Sequence, residues 1–161
     1  MTRWMTVLAL VISCSLTLEA RAGQLSSEQR GDFLTAAQRI SDLRLQVRRF
    51  GQVAQRQGLG HEEAQRYQSE LRDAFRQAHR QHDRFALSLD EQLQDDGGPH
   101  LRRIERFRTK IRRRLGQLDE LVQGDDLNLA KIQNRADSIA CSLQRWSRQY
   151  KRLSAWYQEP M

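Results

Sequence analysis

From Phe33 onward the apolar residues recur at alternating intervals of three and four, through Ala36, Ile40, Leu43, Val47, Phe50 and Ala54. That alternation is the a/d seam of a left-handed coiled coil, and it predicts one long amphipathic helix. The last stretch repeats it through Leu129, Ile132, Ala136, Ile139, Leu143, Trp146, Tyr150, Leu153 and Tyr157. Two stretches between them read less regularly, first through Tyr67, Leu71, Phe75, Ala78, His82, Phe85 and Leu89, then through Leu101, Ile104, Phe107, Ile111, Leu115, Leu118 and Val122. Nothing in the chain alternates with the period of two that a half-buried strand requires.

Punctuation agrees with four helices. Glycine suits the residue just past a helix end and proline the first turn of the next, so Gly58-Leu59-Gly60, Gly97-Gly98-Pro99 and Gly124 are expected to divide the chain. On this reading Gly97-Gly98-Pro99 ends the second helix and starts the third, and Asp125 or Asp126 caps the fourth. Short connections cannot carry the chain back to the far end, so the expected fold is all-α: four long amphipathic helices in an antiparallel bundle with coiled-coil-like seams. Two extended hairpins packed in a dimer would satisfy the same seams.

The first residues read as an address. Met1-Thr2-Arg3 gives a positive start, Trp4 to Leu18 is apolar apart from small polar residues, and Ala20-Arg21-Ala22 supplies a small-x-small cleavage site. The expectation is a cleaved signal peptide over 1–22, a single helical domain over 23–161 and a periplasmic protein. The apolar run spans roughly 22 Å as a helix, short of the ~30 Å of a bilayer's hydrocarbon core. Val11-Ile12-Ser13-Cys14 also resembles a lipobox, which offers anchoring through a lipidated Cys14 as the alternative. With cleavage at the later site Cys141 is the sole cysteine, so no internal disulfide forms. It falls at heptad position f, facing outward, where it can cross-link a homodimer.

The formal net charge is +7, and arginine dominates the positive residues. Arg102, Arg103, Arg106, Arg108, Lys110, Arg112, Arg113 and Arg114 are interrupted by one acid, Glu105, so the third helix is expected to present a strongly positive face. Such a face favours anionic partners or simply keeps the protein soluble. Nucleic acid is not the expected partner, because an exported chain rarely meets it and the run lacks interleaved aromatics. His61, His79, His82 and His100 are scattered, no glycine-rich phosphate loop appears, and no serine or cysteine has the context of an activated nucleophile. Neither an enzyme nor a cofactor is expected. His79 and His82, beside Asp83, share a helix face at a spacing that can reach a metal. The plainer reading is a half-buried His82 and an exposed His79, and no metal site is expected.

Leu25-Ser26-Ser27-Glu28-Gln29 and Leu34-Thr35-Ala36-Ala37-Gln38 resemble the LTxxQ motif of the Spy-like and CpxP-like periplasmic helical chaperones and stress sensors. The second copy matches fully and the first has serine for threonine; Leu25, Ser26, Gln29, Leu34, Thr35 and Gln38 are the motif positions. The resemblance implies a long-helix cradle, usually dimeric, that holds unfolded clients without ATP. Ser26 and Gln29 also read as a capping box, which satisfies donors at a helix start.

The functional expectation is therefore a periplasmic helical binding protein, adaptor or chaperone-like, that holds an envelope protein client. The alternative is an accessory component of an envelope assembly that docks on an anionic surface. Alternating helix directions bring Phe33, Phe85, Leu89, Phe107, Tyr150, Trp156 and Tyr157 to one end of the bundle with Arg102, Arg103 and Arg106. Of these, Arg102, Arg103, Arg106, Trp156 and Tyr157 are the candidate binding residues, because aromatic and arginine side chains anchor interfaces. The competing reading is that the rings seal the bundle's end.

Overall fold

A computed structural model describes residues 24–56 and 58–157. The expected cleavage before Gly23 and its alternative, a lipidated Cys14, lie outside the described residues. The fold is an all-α bundle of four helices: α1 (Ser27–Gln55), α2 (His61–Ser88), α3 (Glu91–Gln123) and α4 (Leu129–Trp156). Each helix packs on its two chain-order neighbours, α1 also closing against α4, and the diagonal pairs keep their backbones apart. Among the described residues no helix is long and apolar enough to cross a membrane.

Local chemistry fixes the ends. Ser26 caps α1 in a reciprocal box: its hydroxyl accepts from the Gln29 N–H at 3.2 Å, and the Gln29 side chain accepts from the Ser26 N–H at 2.8 Å. Gln29 then donates to the Ser88 carbonyl at 2.6 Å, tying the start of α1 to the end of α2. At the other end, His61 bonds the Gly124 carbonyl at 2.9 Å, joining the start of α2 to the end of α3. These two ties and the Phe33–Tyr150 stack, with centroids 5.2 Å apart, establish the antiparallel up-down-up-down arrangement.

Two expected boundaries move. Gly97-Gly98-Pro99 lies inside α3, which begins at Glu91 behind Asp90, whose carboxylate accepts from the Leu93 N–H at 2.8 Å. Neither glycine takes a positive φ, so neither acts as a helix stop. Gly97 instead clears space for Tyr157: a Cβ there would sit 2.1 Å from the tyrosine oxygen. Asn128, not Asp125 or Asp126, caps α4, accepting from the Lys131 N–H at 3.0 Å.

The seams of α1 and α4 are buried as their spacing predicts, apart from half-buried Leu129. In α2 and α3 the seam runs one residue away from the apolar reading at one position each. Gln68 is buried where Tyr67 is half-buried, and Arg108 is buried where Phe107 is half-buried. Continued alternation of four and three through Ala64, Gln68, Leu71 and Phe75, and through Ile104, Arg108, Ile111 and Leu115, carries both polar residues inward.

Candidate functional site

The aromatic end of the bundle is mostly core. Phe33 meets Phe85 edge to face at 5.2 Å, and Phe85 meets Tyr157 at 6.3 Å. Tyr157 is fully buried, and its hydroxyl donates to the Leu93 carbonyl at 2.9 Å. Burial first, then the carboxylates of Asp96 and Asp90, push that hydroxyl up to about 12. As a candidate binding residue Tyr157 is thus corrected: its ring and hydroxyl are consumed by the packing of α4 on α3.

Trp156 differs, being 57% exposed. Its indole N–H donates to His100 Nε2 at 3.0 Å, and His100 Nδ1 bonds Gln149 Oε1 at 3.0 Å. The indole donor fixes the histidine tautomer, with its proton on Nδ1 toward the buried glutamine oxygen. Trp156, His100 and Arg152 line a shallow surface cleft of about 420 Å³ between α3 and α4.

Arg102, Arg103 and Arg106 are all exposed along α3, leading away from that cleft. At 100° per residue the basic run divides by direction. Arg102, Arg106 and Arg113 point outward, whereas Arg114 leans to α4 and donates to the Ser138 carbonyl at 2.6 Å and to the Ser142 hydroxyl. Opposite it, α4 carries Lys131, Arg135, Arg145, Arg148, Lys151 and Arg152 against the single acid Asp137. Burial, and then the charges of Arg135, Arg113 and Arg145, draw the Arg114 guanidinium down from its ordinary value. The α3–α4 face is therefore mostly of positive charge, with Trp156 at one end and Glu120 beside Lys131 and Arg135 toward the other. Cys141 is exposed, as its heptad position predicts.

The other side of the run turns inward, which corrects the expectation that it is wholly a solvated face. Arg108 is 4% exposed, donates to Asp83 Oδ1 at 2.6 Å and pairs with Glu105. Burial pulls its guanidinium down to about 10, still charged at neutral pH, and burial raises the Asp83 carboxyl. His82 is buried rather than half-buried; its Nδ1 lies 2.6 Å from the Tyr150 hydroxyl and its Nε2 3.4 Å from Glu105. Burial pushes the Tyr150 hydroxyl well above its ordinary value, so it remains a donor. His79 Nε2 faces Arg112 at 2.8 Å and Arg108 at 3.2 Å, and both donate to it. The two histidines thus serve a polar network between helices. No cluster of three or more potential metal ligands occurs among the described residues.

Of the motif positions, Leu25 is buried and Ser26 and Gln29 form the cap. The Thr35 hydroxyl donates to the Gly31 carbonyl at 2.8 Å and Gln38 to Asp42 at 2.8 Å, while Leu34 is exposed. All but Leu34 thus have a packing or bonding role at or near α1. The chain matches no protein-family model, no curated protein and no solved structure.

Proposed function

We propose that the protein is an exported, non-catalytic helical binding protein, an adaptor that holds an acidic face of an envelope partner against its α3–α4 surface. One observation carries this reading: a predominantly positive wall, made by exposed arginines of α3 and by an α4 whose only acid is Asp137, with Glu120 of α3 the acid set beside Lys131 and Arg135. Like charges gathered on one face raise the local concentration of anionic partners and orient their approach. Exposed Trp156 supplies an amphipathic anchor at the end of that wall. The resemblance of the α1 motif to Spy-like and CpxP-like proteins accords with an envelope setting.

Docking on an anionic surface such as phospholipid or lipopolysaccharide draws on the same wall and is the second reading. Holding unfolded clients through apolar contact has less support, because Phe33, Phe85, Tyr150 and Tyr157 are spent in the core. The large apolar residues left outside, Leu34, Leu45, Leu87 and Trp156, are distributed over three helices. Salt and lipid separate the readings. Charge docking weakens steeply with ionic strength, and apolar holding persists. Binding to anionic but not zwitterionic vesicles, with no protein bound in the envelope, would favour the surface reading. Salt-resistant suppression of aggregation of an unfolded test protein would favour the chaperone reading and overturn the proposal.

A further inference from the structure

The contact between α2 and α3 is the least close of the four helix pairings. Its two polar seam residues explain why: Gln68 and Arg108 stand where the other seams carry apolar side chains. A groove of about 680 Å³ opens along this contact, lined by Gln68, Arg72, Phe75 and His79 from α2 and by Arg112 and Leu115 from α3. That size lies within the range of small-molecule sites.

Its chemistry is divided. Phe75 and Leu115, both buried, give it an apolar floor. At the rim, Arg72 pairs with Asp119 and Arg76 with Asp73. Arg112 is different, since it forms no ion pair with a carboxylate within 4.0 Å among the described residues. It donates instead to the lone pair of His79 Nε2, and Arg108 donates to the same nitrogen. The imidazole gives the Arg112 guanidinium a direction without neutralising its charge. Gln68 is 5% exposed, and its amide nitrogen has no hydrogen-bond partner. The terminal amide torsion is soft, so a ligand oxygen within the groove can draw that donor round and satisfy it.

We propose that the α2–α3 groove binds a small amphipathic carboxylate, with its head on the Arg112 guanidinium and its apolar chain over Phe75 and Leu115. A planar guanidinium matches a carboxylate in a two-bond geometry, and the floor excludes water from the chain behind it. The site faces away from the α3–α4 wall, so it stands whether or not the wall docks a partner.

Gly116 offers a clean block. It also lines the groove, and nothing lies within 4 Å of where its Cβ would be, so Gly116→Leu fills the space without striking the core. The test is an amide NMR titration of the purified protein with octanoate below its micellar concentration, with acetate and octanol as controls. Saturable shifts are expected at the Gln68 side-chain amide and the Gly116 backbone amide. Octanoate should bind at least about tenfold more tightly than acetate or octanol, the scale of a charge-assisted contact. Gly116→Leu should abolish binding with melting retained, and Arg112→Gln should reduce octanoate to the affinity of octanol. Absence of saturable shifts, acetate binding as tightly as octanoate, or binding indifferent to Gly116→Leu would overturn the site. Octyl phosphate binding more tightly than octanoate would overturn the assignment of the head group.

Discussion

Gly97→Ala adds one methyl group to a helix interior, a change that ordinarily stabilises by about 1 kcal/mol because alanine is the better helix former. Here the added Cβ would lie 2.1 Å from the Tyr157 oxygen and 3.1 Å from Leu153 Cδ2 and Tyr157 Cζ. The 3.1 Å contacts can relax by tenths of an ångström, but the oxygen cannot stay. Moving it breaks the buried 2.9 Å bond to the Leu93 carbonyl, a loss of about 1 kcal/mol or more, and overpacking adds about 1 to 3 kcal/mol. The net expectation is about 2 kcal/mol of destabilisation, or a melting temperature roughly 6 °C lower. Gly116→Ala is the matched control: the same substitution in the same helix with nothing near the new methyl, expected to raise melting by a few degrees, roughly 1 kcal/mol. Circular dichroism melts of both variants and of Gly97→Ala with Tyr157→Phe decide the matter, because removing the hydroxyl removes the clash. Gly97→Ala melting at or above the parent would refute the placement of Tyr157 against α3.

Three further outcomes are expected. Arg108→Met keeps the seam volume and releases Asp83 and Glu105, both half open to water, so it should cost under about 1 kcal/mol in urea unfolding; a loss above about 3 kcal/mol would show that the pairs are indispensable. Stability should fall as pH rises from about 10 to about 12, because the unfolded chain ionises its tyrosines while the fold holds Tyr157 protonated up to about 12. Two pH units correspond to about 3 kcal/mol for that residue, and Tyr157→Phe should make the fall shallower; an unchanged slope would contradict the burial of the hydroxyl. Cys141 should label at the rate of a free thiol in the folded protein, and a disulfide dimer on non-reducing gels should vanish in Cys141→Ser; slow labelling would count against its outward position.

The architecture was legible because spacing carries it. Seven apolar positions in α1 and nine in α4 keep step with the heptad, and all except half-buried Leu129 are buried. Gln68 and Arg108 are hidden from a reading by hydrophobicity because Tyr67 and Phe107, apolar and adjacent, stand at the two points where hydrophobicity departs from register. Strict alternation would have placed the glutamine and the arginine inside and thereby exposed the polar α2–α3 contact. Gly97-Gly98-Pro99 misleads for a related reason. Glycine and proline mark a helix end by local preference, but Gly97 is set by Tyr157, sixty residues later, and no local rule sees that contact. The wall of charge was half legible: the α3 run is plain in sequence, whereas its continuation onto α4 needs the pairing of the two helices.

The central claim is that the α3–α4 wall is the docking surface, and charge removal tests it most directly. Arg145, Arg148 and Arg152 are exposed along α4, and Arg39, Arg48 and Arg49 are exposed along α1, so glutamine at each set removes the same charge from two different helices of one fold. The measurement is retention of the purified parent and of both variants on the host's own envelope fraction across a salt series. The account predicts retention by the parent and by the α1 variant that falls steeply with salt, and loss by the α4 variant already at low salt. Equal retention of the two variants, or retention that does not change with salt, would contradict it.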